Sequence, residues 1–403
     1  MNANTPVSNG KRRRKNIFAR ETTNENVVYV KNVDYVVVVA VTVLVIIGVL
    51  MVYSSSYYAA VVRFNDDSTR FFKKQAMAAV IGFLTMYVLS YVNYRDLKIL
   101  AFPLYIIGCV LLALLPIIGV SANGATRWIN IPVFGSLQPS EVAKLGIILV
   151  LSYIISRQER PLSSLRNVLV PSFFLFIPVG LIAWGNLSTA IVSSIIGVSI
   201  MFIASPKVWP FILAGIIGIV CVVMFVLFGG EAWRNARVQA WLDPEAHADG
   251  KGWQTIQSLY AIGTGGFFGL GPGQSRQKMG FIPEAYTDII FSIVCEEFGF
   301  MGAAIILVLF IVLIWRGVRI AMNATDLFGT LIATGIVFML AGQVIMNIAV
   351  VTNSMPSTGV PLPFISYGGT SLVISMTSIG VLLNISRYHK PAVKARGNGP
   401  RRR

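Results

Sequence analysis

Charged residues are scarce in this chain, and their scarcity defines the class of protein. Asp, Glu, Lys and Arg make up 12% of the 403 residues, whereas hydrophobic residues make up 55%. Soluble globular domains carry about 25% charged residues. The mean hydropathy of +0.71 also indicates long apolar segments. The composition therefore excludes a soluble enzyme and predicts a polytopic membrane protein.

Histidine and cysteine are also rare, which narrows the chemistry. The chain has two His and three Cys. Because Cys109, Cys221 and Cys295 all lie in apolar segments, the sequence has neither a disulfide framework nor a CxxC metal pattern. His389 belongs to the C-terminal tail, which leaves His247 as the only candidate base for a Ser-His-Asp triad. A His-rich metal site is not expected.

Positive charge is concentrated in the two tails, at Lys11–Lys15 and Lys390–Arg403, and the formal net charge is +16. Beside apolar helices, such clusters indicate cytoplasmic ends and contacts with anionic membrane lipids rather than nucleic-acid binding. The apolar run after the first cluster is long enough to span a membrane, which favours a signal anchor over a cleaved signal peptide. We expect cytoplasmic tails at residues 1–33 and 389–403, and a membrane domain at residues 34–388.

Ten apolar segments are long enough, or nearly so, to cross a hydrocarbon core of about 30 Å. They are Tyr35–Tyr53, Gln75–Val92, Ile99–Gly119, Ser140–Ile155, Leu169–Trp184, Thr189–Ala204, Val208–Gly229, Ile289–Trp315, Leu327–Thr352 and Ile365–Ile385. This pattern predicts an all-α integral membrane protein with ten transmembrane helices. With both termini cytoplasmic, a large loop at residues 230–288, between the seventh and eighth segments, is extracytoplasmic.

That outer loop holds much of the polar chemistry, in a compartment without ATP or NAD. Its run GLGPG at Gly269–Gly273 superficially resembles a phosphate-binding loop. It lacks both the preceding strand and the following Lys-Ser/Thr pair that such loops need. Tight or flexible turns are therefore the better interpretation of these glycines.

Asp288 stands at the end of the outer loop, directly before the eighth apolar segment. A carboxylate held at the membrane interface can act as a general base towards a sugar hydroxyl. Alternatively, Thr287 or Asp288 caps the N-terminus of the eighth helix, since both residue types are favoured caps. The residues alone leave these two interpretations open.

Other ionisable side chains lie within the predicted helices. Glu296 and Glu297 belong to the eighth segment, and Glu141 and Lys144 to the fourth. Ionisable groups inside a spanning segment are costly and usually face a cavity or a partner. Glu297 is either functional or part of a structural pair with a Lys or Arg on a neighbouring helix, for which the fourth segment offers natural partners. Glu141 and Lys144 are spaced i, i+3 and can pair with each other.

Cationic residues on the outer side are candidates for binding an anionic headgroup. Arg127 could clamp a phosphate, because a guanidinium binds phosphate in a bidentate manner. Alternatively, Arg127 and the adjacent Trp128 are interfacial anchors. Arg276 and Lys278, in the outer loop, could bind a pyrophosphate or merely solvate the loop.

One further stretch, Thr358–Leu372, reads TGVPLPFISYGGTSL and combines proline, glycine, serine and threonine. Such a composition indicates broken, re-entrant backbone that lines a cavity rather than a helix that faces lipid. Ser366, within this stretch, is a candidate substrate contact.

Together these motifs resemble those of the SEDS family (shape, elongation, division, sporulation), which includes FtsW, RodA and SpoVE. The similar stretches are ATRWI, QPSEVAKLG, QSLYAIGTGGFFGLGPGQSRQK, PEAYTD, EEFGFMG and TGVPLPFISYGGTSL, from about Ala125 to Leu372. The forms GLGPGQSRQK and SMPSTGVPLPFISYGGTSL are more similar to the FtsW/SpoVE branch than to the RodA branch.

The resemblance implies a peptidoglycan glycosyltransferase that polymerises lipid II at the outer face of the bacterial cytoplasmic membrane, for the division septum or for sporulation. It implies as partners a class B penicillin-binding protein, other divisome proteins, the undecaprenyl-pyrophosphate-linked glycan and membrane lipids. No tightly bound cofactor is expected, although a divalent cation, Mg or Mn, could take part. Nucleic acid is not an expected partner.

The resemblance also assigns site residues. Asp288 matches the family's essential acidic residue, and we expect it to take the proton from the acceptor GlcNAc 4-hydroxyl in an inverting transfer. The substrate-binding candidates at polar positions typical of the family are Arg127, Glu141, Lys144, Arg276, Lys278 and Glu284. Two positions depart from the family pattern: Tyr286 replaces a usual His, and Asn186 replaces a frequent Asp.

Two other classes of function fit the residues. A transporter or flippase of a lipid-linked precursor also has internal carboxylates and broken helices, but its polar cluster is expected at the bilayer midplane rather than in an outer loop. A non-catalytic scaffold for a transpeptidase is the third alternative. A scaffold would tolerate a neutral side chain at Asp288, whereas an enzyme would not.

Overall fold

The computed structural model describes residues 28–29, 33–63, 67–122, 125–131, 135–159, 162, 165–212, 215–216, 238–248 and 250–389. Its α-helices are α1 (Tyr35–Tyr58), α2 (Arg70–Tyr91), α3 (Ala101–Ile118), α4 (Pro139–Ser156), α5 (Leu165–Gly185), α6 (Leu187–Ala204), α7 (Lys251–Gly265), α8 (Ile290–Asn323), α9 (Leu327–Val351) and α10 (Gly369–Ser386). Its strands are β1 (Val28–Tyr29), β2 (Val120–Ala122), β3 (Ala125–Ile131), β4 (Gly135–Leu137) and β5 (Tyr388–His389).

Within these described ranges, nine helices are long and apolar enough to cross a membrane, and they are all of those above except α7. They correspond to nine of the ten predicted spanning segments. The seventh predicted segment, Val208–Gly229, lies largely outside the described residues, so the count of ten stays a prediction. The observed fold confirms the expected all-α membrane architecture.

The helices differ in how much of their surface the bundle covers. The spanning windows of α4, α9 and α10 are each 72% buried, whereas those of α3 and α5 are each 22% buried. The first three therefore form the centre, and α3 and α5 lie on the periphery. Small residues allow the backbones of α3 and α4 to approach each other closely. A Cβ added at Gly108 of α3 would lie only 2.8 Å from the Cα of Ala143 in α4, so a larger residue would not fit between them. Such backbone-to-backbone packing is typical of membrane helices.

Residues near the two ends of the described chain meet at one end of the bundle. β1 pairs with β5 in an antiparallel arrangement. Asp34, which precedes α1, forms an ion pair of 2.6 Å with Arg316 of α8. Ser54, near the other end of α1, contacts Glu297 of α8, so about 30 Å of helix separates Asp34 from Glu297 at 1.5 Å per residue. The first part of α8, which follows Asp288, therefore lies at the opposite end of the bundle from β1 and β5.

Three features of the end near Asp288 differ from the helical expectation. β2, β3 and β4 form a three-stranded antiparallel sheet between α3 and α4. Residues Lys251–Gly265, in the middle of the region predicted as loop, form α7. The last spanning helix begins at Gly369 instead of Ile365, because residues 352–368 are non-helical. This last segment is nevertheless buried at Val360, Leu362, Phe364 and Ile365, which supports the predicted broken backbone inside the bundle.

Candidate functional site

Glu296 anchors the outer loop to α8. Its Oε1 accepts hydrogen bonds from the backbone amides of Arg276 at 2.9 Å and Gln277 at 3.4 Å. Its Oε2 accepts a hydrogen bond from the hydroxyl of Ser275. Glu296 is 1% exposed, and these donors replace the water that a buried carboxylate would lose. The carboxylate therefore holds the loop in place.

Glu297 makes a second anchor of the same kind. Its Oε1 lies 2.7 Å from Lys278 Nζ and 2.6 Å from Ser54 Oγ of α1, while its Oε2 accepts from the Gly273 amide at 3.0 Å. Lys278 Nζ also donates to Ser54 Oγ at 2.8 Å. Glu297 thus forms a structural pair, with a cation from the loop rather than from a neighbouring helix.

The glycines of this loop form tight turns, as the sequence indicates. Gly269, Gly271 and Gly273 all have positive φ, a conformation that costs other residues free energy. Gly299 also has positive φ, 64°, and interrupts α8. A Cβ at Gly299 would lie 2.4 Å from the Gly269 amide. The loop backbone can therefore pack directly against the bend in α8.

Asp288 lies beside a different part of the chain, the segment that follows α9. A Cβ built on Gly359 would lie 2.6 Å from Arg127 Nη1 and 3.9 Å from Asp288 Oδ2. The guanidinium and the carboxylate therefore approach the same face of Gly359. Gly359 has a φ of +70°, so both its conformation and the space beside it favour glycine. The Asp288 carboxylate and the Arg127 guanidinium thus lie together at a backbone position that has no side chain.

The helix-cap interpretation of Asp288 is wrong. α8 begins at Ile290, its N-cap is Ile289, and no side chain caps it. The carboxylate of Asp288 instead accepts a hydrogen bond from Thr287 Oγ1 at 3.0 Å. Both residues are half-buried. The carboxylate is therefore not engaged in completing the helix.

The segment around Ser366 is held by a buried amide of α2. Gln75 Nε2 donates to the carbonyl of Ser366 at 3.1 Å, and Gln75 Oε1 accepts from the Gly368 amide at 3.2 Å. Ser366 Oγ accepts from the Leu362 amide at 2.8 Å, and Ser366 is 5% exposed. These contacts favour a structural role for Ser366, although its substrate-binding role stays a prediction.

Glu141 and Lys144 pair with each other, as their spacing predicts, with Lys144 Nζ 2.7 Å from Glu141 Oε1. Both lie in α4, whose N-terminal end follows the strand β4. The pair is at most 2% exposed. Glu141 Oε2 has no hydrogen-bond partner among the described residues. A buried oxygen of this kind needs a donor from water or a ligand.

The other predicted site residues are more exposed. The side chains of Arg276 and Glu284 are exposed at the surface of the outer loop. Tyr286 is buried, with ring centroids 4.7 Å from Phe71 and 5.6 Å from Tyr367. Tyr286 therefore packs in an aromatic cluster. It precedes Asp288 by two residues, at the position where the family usually has His.

His247 does not form a triad with the described residues around it. Its Nδ1 lies 3.0 Å from the backbone carbonyl of Asp243, within a turn of 3₁₀-helix. Asp243 uses its own carboxylate to accept a hydrogen bond from the Ala246 amide at 3.0 Å. The ring of His247 thus contacts backbone, and the described residues around it do not form a Ser-His-Asp triad.

Sequence reasoning missed three residues that organise this end of the molecule, namely Ser54, Gln75 and Asn347. All three are polar side chains within long apolar helices, which is the one signal that could have identified them. Asn347 Nδ2 donates to the carbonyl of Asp288 at 2.7 Å and to that of Val360 at 2.9 Å.

Comparison with known proteins agrees with this architecture. Stage V sporulation protein E of Bacillus subtilis is 42% identical over 343 residues, which cover 84% of this chain and 93% of that protein. A protein named probable peptidoglycan glycosyltransferase FtsW, from a Geobacter species, is 38% identical over 89% of this chain and 97% of its own length.

Solved structures share the fold as well. A chain of a peptidoglycan synthase complex, studied for its coordination of polymerization and crosslinking, superposes with a TM-score of 0.72 at 26% identity, over 89% of this chain and 98% of that one. The rod shape determining protein RodA of Thermus thermophilus superposes with a TM-score of 0.65 at 26% identity, over 89% and 97% of the two chains. The family model FTSW_RODA_SPOVE, described as cell cycle protein, matches residues 34–391. This chain is an integral membrane protein of the FtsW/RodA/SpoVE family.

Proposed function

We propose that this protein is a peptidoglycan glycosyltransferase that polymerises lipid II into glycan strands. The observation that carries the proposal is the position of Asp288, whose carboxylate lies beside Arg127 at Gly359 and does not cap α8. The names of the relatives at 42% and 38% identity support the same chemistry.

Asp288 acts as the general base in this proposal. It takes the proton of the acceptor GlcNAc 4-hydroxyl as that oxygen attacks the anomeric carbon of the donor, and the configuration at that carbon inverts. The undecaprenyl pyrophosphate of the donor leaves. A positioned base contributes about 10² to 10⁴-fold to the rate of such a step. The limited solvation of the half-buried Asp288 suits that role.

Arg127 meets the charge that develops on the leaving pyrophosphate. A guanidinium close to the base is well placed to stabilise that charge, and such preorganised donors contribute a large part of many rate enhancements. Arg276, exposed on the outer loop, is a second candidate contact for the headgroup. Lys278 is a weaker candidate, because its side chain is 7% exposed and its ammonium is already paired with Glu297.

No step of this proposal is assigned to Mg or Mn. Across the described ranges, no three His, Cys, Asp or Glu side chains come together as ligands. Among those residues, the charge near Asp288 is the cationic Arg127.

The setting of the reaction follows from the same proposal. The pairing of β1 with β5 at the end of the bundle opposite Asp288 supports termini on one side of the membrane, the cytoplasmic side, and a site at its outer face. The partner is a class B penicillin-binding protein, supported by the resemblance to a chain of a peptidoglycan synthase complex. The division septum and the sporulation wall are the two candidate places of action.

The test is polymerisation of lipid II by the purified protein with its cognate class B penicillin-binding protein, which has no polymerase domain of its own. We expect the wild type to make polymer. The polymerisation rate of Asp288→Asn should be lower by about 10² to 10⁴-fold. Asp243→Asn, an exposed neutralisation in the same outer region, is the matched control and should retain wild-type activity.

The possible outcomes separate the functions. If Asp288→Asn folds, binds its partner and polymerises at the wild-type rate, the assignment of the base is wrong. If the wild type makes no polymer with any partner or divalent cation, the enzyme proposal fails. Transport of labelled lipid II across proteoliposome membranes would then support a flippase, and its absence together with partner activation would support a scaffold.

A further inference from the structure

Asn347 is a buried amide in the middle of an apolar environment. It belongs to α9 and is 1% exposed. Both hydrogens of its amide are used on backbone carbonyls outside the helices, those of Asp288 and Val360. Its Oδ1 has no hydrogen-bond partner among the described residues. The side chain is thus a donor that joins two non-helical segments.

The two joined segments carry the two charged groups of the site. Asp288 supplies the carboxylate, and Val360 directly follows Gly359, against which the Arg127 guanidinium lies. The hydrogen bonds of 2.7 and 2.9 Å share one nitrogen atom, so they fix the separation of the two carbonyls. No helix continues through either segment, and regular secondary structure therefore does not set this separation.

We infer that Asn347 is a positioning residue that holds the carboxylate of Asp288 at its working distance from Gly359 and Arg127. The inference rests on the proposed function, because it assigns Asn347 to the geometry of that reaction. The hydrogen-bond partners of Asn347 among the described residues are backbone carbonyls. Misplacement of reacting groups by about 1 Å can cost about 10²-fold in rate, so loss of this link should lower the catalytic rate more than it lowers substrate binding.

Asn384 provides a matched control at the other end of the bundle. It is also 1% exposed. Its Oδ1 accepts from the Tyr94 amide at 2.9 Å, and its Nδ2 donates to the Ser90 carbonyl at 3.0 Å. Asn384→Leu and Asn347→Leu therefore each remove two hydrogen bonds between a buried side-chain amide and the backbone. Only the second change affects the segment that carries Asp288.

The experiment compares Asn347→Leu, Asn347→Gln and Asn384→Leu with the wild type, each with the penicillin-binding partner. We measure kcat and KM for lipid II polymerisation per folded protein, together with the thermal midpoint. We expect Asn347→Leu to lose about 10²-fold in kcat with KM within about threefold. Asn347→Gln keeps the amide donors but displaces them by one methylene group, and it should recover only part of the wild-type kcat, to about a tenth of that value. Asn384→Leu should lower the midpoint similarly and leave kcat within about threefold.

Each result decides between the two roles. If Asn347→Leu lowers the midpoint as Asn384→Leu does but retains the wild-type kcat per folded molecule, Asn347 is only structural and the inference is overturned. If Asn347→Leu does not fold, Asn347→Gln decides. A kcat below the wild-type value supports the positioning role, because the amide is displaced. A wild-type kcat shows that Asn347 is only structural and overturns the inference. An inactive wild type, in contrast, overturns the proposed function itself, and the inference with it.

Discussion

Asp288 and the Glu296–Glu297 pair are carboxylates less than three helical turns apart, yet their surroundings are opposite. The two glutamates are each 1% exposed, and together they accept hydrogen bonds from Ser54, Gly273, Ser275, Arg276, Gln277 and Lys278. Asp288 is half-buried, and its carboxylate accepts one bond, from Thr287, among the described residues.

The difference separates a structural carboxylate from a reactive one. A carboxylate whose two oxygens both accept hydrogen bonds from the fold must give up those bonds before it can serve a substrate. A carboxylate with unoccupied lone pairs beside a guanidinium can accept a proton without first breaking the fold. Position at a membrane boundary does not distinguish the two cases, whereas the count of donors around each oxygen does.

Lys278 provides the strongest test of the structural side of this comparison. Lys278→Met leaves Glu297 buried without its cation, and breaking one partner of a buried pair costs about 3–5 kcal/mol. We expect a large fall in the thermal midpoint of the detergent-solubilised protein, with normal activity per molecule that remains folded. Methionine keeps much of the length of the lysine stem, so the change removes mainly charge.

The double variant Lys278→Met with Glu297→Leu tests whether the pair is only structural. Replacement of a whole buried pair by apolar residues is often neutral or stabilising. Because Glu297→Leu also leaves the Gly273 amide and the Ser54 hydroxyl without their acceptor, we expect only part of the lost midpoint to return. If the double variant is stable but makes no glycan, Lys278 or Glu297 serves the reaction directly, and the contrast with Asp288 breaks down.

Arg127 tests the reactive side. Arg127→Ala removes the guanidinium next to Asp288 and should lower kcat by about 10² to 10³-fold, the effect of losing one preorganised donor to developing charge. Arg127→Lys keeps the charge but loses the planar fork, and we expect it to recover only part of the rate. An unchanged kcat in Arg127→Ala would assign the residue to anchoring at the membrane interface instead.

Ser366 has a smaller expected effect. Ser366→Ala leaves the buried amide of Leu362 without its acceptor, which costs about 1–3 kcal/mol of stability. If the serine is only structural, KM for lipid II stays at the wild-type value. A rise in KM without a fall in the thermal midpoint would show instead that the hydroxyl binds substrate, as the sequence predicts. Thermal unfolding and steady-state kinetics on the same preparation distinguish the two.

The spanning helices could be predicted from composition because apolar length is a local property of the sequence. The pairing of Glu141 with Lys144 could be predicted because i, i+3 spacing brings the two side chains together on any helix. The pairing of Glu297 with Lys278 could not, because it depends on how the outer loop folds back onto α8. The same holds for Asn347 and Gln75, whose partners are backbone carbonyls or amides far away in the chain. Nothing in their local sequence identifies those partners.

Arg276 should show the smallest effect on the fold. Its side chain is exposed, and the loop is held through the backbone amide of Arg276 at 2.9 Å from Glu296, which Arg276→Ala retains. We expect the free energy of unfolding to change by no more than about 0.5 kcal/mol, as for an ordinary surface substitution. The thermal midpoint should therefore stay close to that of the wild type. A headgroup contact would nevertheless raise KM for lipid II several-fold, and more so at low salt, since exposed charges are screened by ions. If KM is unchanged at both salt concentrations, the guanidinium only solvates the loop. Binding of the anionic headgroup is then assigned to Arg127, next to the carboxylate that accepts the fewest hydrogen bonds in this comparison.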